Sequence, residues 1–199
     1  ENLKNEDILK YFQQLFLPNI FEYYAIILHP FWKYDLPHRA IMDINHKDFK
    51  FELPKSDFYP LKWIEYFQSK NITFNLKTSI QNYLNHNIPP QLYNEMFPNE
   101  GSMEMNTFQN ISKIILETYG EQKVKLFYEL SSTTHWKNPE MYQGLLSDAI
   151  TFTSKYESKN TPNLFFDTEK KWAISSNIDY PFSIIGGEEK LLSTLIEKY

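Results

Sequence analysis

Cysteine is absent from this chain of 199 residues. Its absence excludes disulfide bonds, thiolate catalysis and zinc sites with cysteine ligands, and it favours a reducing compartment such as the cytoplasm. An excess of positive charge is missing as well, because 20 basic side chains face 25 acidic ones and leave a net charge of −5. Such a chain has no overall positive field to attract a phosphate backbone, so nucleic acid is not expected as a partner.

Long hydrophobic runs are also missing. No apolar stretch reaches the roughly 18 residues that a membrane-spanning helix needs. The polar start of the chain, over residues 1–7, lacks the pattern of a secretory signal peptide. We therefore expect a cytoplasmic protein without membrane contact.

The motifs of several enzyme classes are not present. The sequence contains no GxGxxG, no Walker lysine, no HExxH and no GxSxG pattern. Its one pair of adjacent glycines, Gly186 and Gly187, is followed by Glu188 and Glu189, whose charges would repel a phosphate from the start of the next helix. These glycines predict a tight joint between a strand and a helix, and we expect no cofactor and no metal site.

Aromatic residues are abundant, with 16 Phe, 14 Tyr and 4 Trp, and 42% of all residues in the chain are hydrophobic. This composition is typical of a globular protein with an aromatic core and not of a disordered chain. The length suits one domain that buries a proper core. We therefore predict a single domain over residues 1–199.

The last 38 residues give the clearest structural pattern. Residues 163–166 form a short apolar strand, residues 167–170 a polar turn, and residues 172–178 a strand that alternates with period two. The alternation places one set of side chains on the buried face, namely Trp172, Ile174, Ser176 and Ile178. A third strand at 182–185 and a helix at 188–198 complete this segment.

Earlier parts of the chain predict further elements. Helices are expected over residues 8–17, 60–70, 78–84, 106–119 and 147–155, and strands over residues 21–28, 124–130 and 141–146. The continuous apolar character of residues 21–28 indicates a central strand, whereas residues 34–60 are expected to be irregular and residues 88–101 to form a linker. Asn106 and Gln109 resemble a capping box. The sum is an α+β fold, with about five strands in a mostly antiparallel sheet and helices packed on it.

The C-terminal segment NLFFDTEKKWAISSNIDYPFSIIGG, residues 163–187, resembles a pattern found in a family of small, uncharacterised bacterial proteins. In that pattern an aromatic strand, a polar turn, a Trp strand, Ile-Asp and Gly-Gly precede a helix. Weaker matches occur at residues 21–30, 100–103 and 142–144. The sequence departs from the pattern at Phe165-Phe166, where tryptophans are expected, and at Asn177, where an acid is usual. The resemblance implies a shared fold and a cytosolic setting, and it assigns no activity and no catalytic residue.

Four residues are the candidates for a cleft or binding site. His29 closes the first strand beside Pro30, where it either faces a cleft as a base or bonds a backbone carbonyl at the edge of the core. Asp179 stands at a strand end and Glu100 in a turn, and paired carboxylates permit acid and base catalysis, although a turn-capping role also suits Asp179. Trp172 is the fourth candidate. The other histidines, His38, His46, His86 and His135, lie in polar stretches and are expected to be solvated.

Three functional hypotheses follow. The first is a protein-binding role without catalysis, most concretely that of an immunity-type protein that neutralises a toxin or effector. Aromatic residues of the kind that anchor interfaces and an acidic charge balance that suits a basic partner favour it. The second is a small enzyme that uses His29 with Asp179 or Glu100. The third is a structural role in a larger assembly, which predicts a large exposed apolar patch.

Overall fold

The structure, a computed structural model, describes residues 16–34, 58–88, 95–128, 140–155, 161–177 and 179–198. The chain divides into two compact units. The sheet unit comprises Glu1–His29 and Asn99–Tyr199, and the inserted unit comprises Pro30–Pro98. The organisation of residues 1–199 as a single domain stays a prediction.

The described residues form nine strands and five helices. The strands are β1 (Tyr23–Leu28), β2 (Phe31–Tyr34), β3 (Phe58–Leu61), β4 (Glu95–Met96), β5 (Lys123–Tyr128), β6 (Glu140–Leu145), β7 (Leu164–Asp167), β8 (Ala173–Ser176) and β9 (Phe182–Gly187). The helices are α1 (Trp63–Ser69), α2 (Leu76–Leu84), α3 (Met105–Tyr119), α4 (Leu146–Lys155) and α5 (Glu189–Lys198). The predicted α+β fold is confirmed.

The sheet unit contains a six-stranded antiparallel sheet in the order β1-β9-β8-β7-β5-β6. The predicted antiparallel arrangement is confirmed, with six strands instead of about five. Strand register aligns Leu126, Phe165, Ile174 and Ile185 in one row across the sheet. These residues belong to one core with the apolar stripes of α3, α4 and α5, so the helices cover this face, as the period of 3.6 in their sequences requires.

The C-terminal segment folds as its alternation predicts. Trp172, Ile174 and Ser176 are all buried, whereas Ile178 lies outside the described residues. Gly186 and Gly187 do not form a joint after the strand, because both belong to β9 and pair with Tyr24 and Tyr23 of β1. A side chain at position 186 would collide with the ring of Phe21. The first glycine is therefore required by the close approach of an aromatic ring.

The prediction of β1 as a central strand is wrong, because β1 lies at one edge of the six-stranded sheet. Its side chains are nevertheless mostly half-buried. The fully buried strand is β9, in which all six residues are buried. An apolar run thus indicates burial of side chains on both faces, which a strand at the edge of a covered sheet also achieves.

The inserted unit contains a three-stranded sheet in the order β3-β2-β4. Part of β3 falls in the stretch that was expected to be irregular, and Pro60, expected at the first position of a helix, lies in β3 opposite Trp32. Proline is tolerated there because β3 is an edge strand, where a missing N–H costs no ladder hydrogen bond. The helix begins at Trp63 instead.

Aromatic rings form the core of the inserted unit. Phe31 stacks on Tyr66 with ring centroids 3.8 Å apart, and Trp63, Phe67 and Tyr83 surround Phe31. Burial raises the pKa of Tyr66 to about 12, with a further contribution from the charge of Glu95. The phenol therefore stays neutral at physiological pH and packs as an uncharged ring.

Helix α3 begins at Met105, one residue before Asn106, the first residue of the predicted capping box. The carboxylate of Glu104 accepts hydrogen bonds from the N–H groups of Asn106 and Thr107 at 2.9 and 2.8 Å. A negative charge at this position also interacts favourably with the positive end of the helix dipole. Glu104 is thus the N-cap, and the proposed pair of Asn106 with Gln109 is wrong.

The predicted helix over residues 8–17 lies mostly outside the described residues. His38, His46 and His135 lie there as well. None of the helices in the described ranges combines the length and the apolar character needed to span a bilayer.

We predict that Gly186→Ala destabilises the fold by about 1–3 kcal/mol, the usual cost of overpacking a filled site. The reason is that the new Cβ would overlap Cδ2 of Phe21 and lie 2.8 Å from Cγ of the same ring. Urea unfolding measures this change. Gly144→Ala is the matched control, since a Cβ there meets no atom within 4 Å. Equal stability of the two variants would contradict the prediction.

Candidate functional site

Four buried polar side chains cross the end of the six-stranded sheet, and we call them the polar row. They are His29 just after β1, Ser183 on β9, Ser176 on β8 and Asn163 just before β7. His29 Nε2 lies 2.8 Å from Ser183 Oγ, and Ser183 Oγ lies 2.6 Å from Ser176 Oγ. The backbone N–H of Ser176 donates to the carbonyl of Asn163 at 2.7 Å. Hydrogen bonds thus connect the row from β1 to β7.

The second ring nitrogen of His29 sets the direction of these bonds. Nδ1 lies 2.6 Å from the carbonyl oxygen of Asn99. A carbonyl only accepts, so Nδ1 carries the proton, and in the neutral ring Nε2 must accept from Ser183. The hydroxyl of Ser183 is then free to accept from Ser176. The sequence alternative in which His29 bonds a backbone carbonyl at the edge of the core is the one that this geometry matches.

Burial lowers the pKa of His29 from 6.5 to about 4, and the hydrogen bond to Asn99 opposes the shift only in part. The side chain is 1% exposed. A proton added to this ring would place a charge in a site shielded from solvent, which is the usual reason for a lowered histidine pKa. His29 is therefore neutral at physiological pH.

The polar row also fixes the segment that re-enters the sheet unit after the insertion. The carbonyls of Asn99, Gly101 and Met103 accept from His29, Asn163 Nδ2 and Thr161 Oγ1 at 2.6, 2.7 and 3.0 Å. Three alternate carbonyls of this segment thus accept hydrogen bonds from side chains of the sheet unit. Gly101 has φ of 79°, a conformation that residues with a side chain adopt at a cost.

Glu100 and Asp179 each precede a residue of one backbone hydrogen bond. The N–H of Gly101 donates to the carbonyl of Tyr180 at 3.4 Å, so each acid is one residue away from this bond. Both acids are exposed. In this turn the N–H of Asp179 donates to Oδ1 of Asn177 at 3.1 Å. The cap is Asn177, the position at which the resembled pattern usually has an acid.

Trp172 is a core residue. Its ring is fully buried, packs against Phe165 with centroids 4.9 Å apart, and donates from Nε1 to Oε1 of Gln122 at 2.8 Å. The hydrogen bond satisfies the only polar atom of the indole. In this structure Trp172 presents no surface to a ligand.

The contact between Ser183 and His29 has the length of a nucleophile–base pair. A nucleophile must meet its substrate, however, and Ser183 is 0% exposed. The described residues also include no group of three or more His, Asp or Glu side chains that could hold a metal ion. The polar row is therefore suited to hold strands together and not to attack a bond.

An exposed groove lies in the inserted unit, and sequence reasoning missed it. It has a volume of about 320 Å³ and is lined by Ile64, Gln68, Asn71, Ile72, Thr73 and Phe74. Ile64 is 45% and Ile72 is 39% exposed, values that are high for large aliphatic side chains. The groove thus combines an apolar centre with polar neighbours, the composition expected of a contact surface for another protein.

Local structure explains the shape of the groove. Ile64 and Gln68 are four residues apart and share the outer face of α1, whose inner face is buried through Trp63, Tyr66 and Phe67. Asn71 has φ of 59°, in the left-handed region that ends many helices. The turn lets the N–H of Ile72 donate to the carbonyl of Phe67 at 3.0 Å, which brings Ile72 back beside α1.

A sequence signal for the groove exists, but it is weak. Asn71 follows the predicted end of a helix, and the next residues, Ile72-Thr73-Phe74, are apolar in a polar neighbourhood. Nothing in the sequence tells whether such side chains become buried. Their exposure depends on tertiary packing.

No family model, no curated protein and no solved structure matches this chain.

The low pKa of His29 predicts a pH dependence of stability. Between pH 6.5 and pH 4 the unfolded chain binds a proton that the folded chain excludes, so stability falls as the pH falls through this range. The contribution of the neutral ring is fully present above pH 6.5. We expect the difference in unfolding free energy between the wild type and His29→Gln to shrink by about 2–3 kcal/mol between pH 7 and pH 4.

Urea unfolding at both pH values measures this difference. His86→Asn is the control, because His86 is exposed and asparagine tolerates its φ of 56°. This variant should keep the pH dependence of the wild type. A His29→Gln protein with the same pH dependence as the wild type would show that the ring does not titrate as described.

Proposed function

We propose that this chain is a non-catalytic, protein-binding protein, most concretely an immunity-type protein that neutralises a bacterial toxin or effector by covering its functional site. The observation that carries the proposal is the exposed apolar groove of the inserted unit. A cytoplasmic setting and kinship with the bacterial family resembled by residues 163–187 are part of the same proposal.

The groove supports binding through its apolar centre. Burying apolar surface yields about 25 cal/mol per Å², and Ile64 and Ile72 both keep a large fraction of their surface in water. Gln68, Asn71 and Thr73 surround them with groups that donate and accept hydrogen bonds. An apolar anchor inside a polar rim is the arrangement in which a few residues provide most of the binding free energy.

One lining residue of the groove, Phe74, packs on the aromatic core of the inserted unit. Phe74 packs against Phe67 with ring centroids 6.1 Å apart, and Phe67 itself packs against Trp63 at 6.1 Å. A side chain held by a packed core loses little conformational entropy when a partner binds. This support favours recognition by a preformed surface.

The ion pair of Lys70 with Glu95 stabilises the same unit. Lys70 Nζ lies 2.7 Å from Glu95 Oε2, and the carboxylate side chain is 2% exposed. The ammonium group also lies 5.3 Å from the centroid of the Tyr66 ring. A buried carboxylate without its cation would be strongly destabilising, so the pair fixes the end of α1 against β4, next to the segment that carries the groove.

A basic partner suits the charge of the chain. The net charge of −5 speeds the approach of a positively charged protein and discourages acidic ones. Many toxins that act on nucleic acids need basic surfaces for that purpose. The proposed target class is therefore a basic toxin or effector.

The alternative of an enzyme that uses His29 with Asp179 or Glu100 gains no support from the geometry. A general base must reach the proton that it removes. The ring of His29 is 1% exposed, and both of its nitrogens have partners within the protein.

The proposal predicts that a charge placed in the groove abolishes neutralisation. For the test, a toxin-sized reading frame next to the gene is identified in the genome, and its product is co-expressed in a bacterial host with the wild type, with Ile72→Glu or with Ile196→Glu. Ile196 is 71% exposed, lies on α5 and is not one of the residues that line the groove, so it provides a matched control. We expect wild type and Ile196→Glu to restore growth, and Ile72→Glu to raise the Kd by about tenfold or more and to fail.

Calorimetry with the purified toxin gives the Kd values, and thermal unfolding confirms that all three proteins are folded. Equal affinity of Ile72→Glu and wild type would move the binding site away from the groove. A neighbouring product that does not inhibit growth, together with no binding to the wild type, would contradict the immunity role itself.

Charge complementarity predicts a dependence on salt. Raising the ionic strength from about 0.05 M to about 0.3 M shortens the Debye screening length roughly twofold, from roughly 14 Å to roughly 6 Å. We expect the association rate constant to fall severalfold while the dissociation rate constant changes little. Stopped-flow mixing measures both constants. An association rate that is independent of salt would contradict a basic partner.

A further inference from the structure

Strand β6 forms one edge of the six-stranded sheet, and in the described part of the chain no strand pairs with its outer side. Met141 is 61% and Leu145 is 41% exposed, and Gln143 between them is exposed as well. At the opposite edge, β1 has mostly half-buried side chains. Exposed apolar strand edges invite pairing with another chain, and proteins usually protect them with charges or prolines. Positions 141–145 contain neither.

The hydrogen bonds of β5 show which backbone groups of β6 point outward. The N–H of Leu146 donates to the carbonyl of Gln122, and the register places Gly144 opposite Val124 and Tyr142 opposite Leu126. Bonded and non-bonded pairs alternate in an antiparallel ladder, so the even-numbered residues of β6 bond to β5. The odd-numbered residues therefore direct their N–H and C=O groups to the outer edge. These residues are Met141, Gln143 and Leu145.

The three outward residues are complementary to a second copy of themselves. An antiparallel pairing centred on Gln143 places Gln143 of one copy opposite Gln143 of the other. Met141 of each copy then lies opposite Leu145 of the other copy. Because Gln143, at the centre of the pairing, directs its own N–H and C=O groups to the outer edge, each outward N–H of one copy lies opposite an outward C=O of the other. On the same face, apolar side chains meet apolar ones and the two amides can hydrogen-bond to each other.

The other face of the strand fits the same register. It places Tyr142 of one copy opposite Gly144 of the other. A Cβ at Gly144 would meet no atom within 4 Å, so no group of the same copy covers the glycine on this side. Pairing of an aromatic residue with a glycine across strands is a known way to cover the exposed backbone of glycine.

We infer that β6 pairs with β6 of a second copy of this chain, centred on Gln143, and so joins two six-stranded sheets into one continuous sheet. The five residues 141–145 pair on each side, and they bury less than about 1,200 Å², the area at which stable interfaces begin. The dimer is therefore weak, with a Kd on the order of 10–100 µM. This interface is independent of the groove in the inserted unit.

Sedimentation velocity over a range of concentrations tests the inference with the full chain. We expect reversible dimerisation of the wild type. Gln143→Lys and Gln143→Glu each place like charges directly opposite each other at the centre of the pairing, so each should raise the Kd severalfold to about tenfold. A mixture of the two variants faces lysine with glutamate and should restore the dimer. This rescue is specific to a register centred on position 143.

Lys125 lies opposite Gln143 within the same copy, so a charge at position 143 also changes the contacts inside a single copy. Thermal unfolding of dilute samples therefore checks that each variant is folded. A wild type that remains monomeric up to about 1 mM, well above the Kd expected for weak pairing, would overturn the inference and leave the edge to a strand of another protein. A wild-type dimer that both variants preserve, or that the mixture does not restore, would also overturn it, because the copies would then meet elsewhere.

Discussion

The hydrogen bond between His29 Nδ1 and the carbonyl of Asn99 is the constraint on which the arrangement of the sheet unit depends. His29 is the last residue before the inserted unit and Asn99 is the first residue after it. Their bond at 2.6 Å holds the point where the chain leaves the sheet next to the point where it returns. An insertion between two such points adds little loop-closure entropy to the cost of folding, because the ends are already close together.

This constraint explains why the interior tolerates so many polar groups. A buried hydroxyl or imidazole without a partner costs about 1–3 kcal/mol, yet His29, Ser183 and Ser176 satisfy one another in sequence. The same bonds specify strand register. A shift of one residue would turn each hydroxyl to the opposite face of the sheet, where neither the ring nor the second hydroxyl could reach it. Such a network stabilises only when it is complete, which makes it a poor place for a reaction that must exchange protons with a substrate.

The sequence predicts those parts of the fold that depend on local periodicity. The alternation around Trp172 and Ile174 and the apolar stripe of α3 both lead to the observed elements, because side-chain period reflects which face is buried. It does not predict the position of β1 at the edge, since apolar composition is the same for any covered strand. It also missed the role of Glu104, because a cap depends on where the preceding chain turns and not on residue type alone. Of the candidate site, the sequence left two alternatives for His29, a base in a cleft or a bond to a backbone carbonyl, and its observed partners come from residues 99 and 183, which no local pattern connects.

The two surfaces proposed for binding differ in what they can recognise. A strand edge offers only backbone N–H and C=O groups, which every protein shares, so specificity at β6 must come from the order of side chains on either side of Gln143. The groove offers side chains of defined shape and polarity, and it suits discrimination between partners. The two surfaces belong to different units, and neither uses a residue of the other. Pairing through β6 would therefore use none of the residues that line the groove.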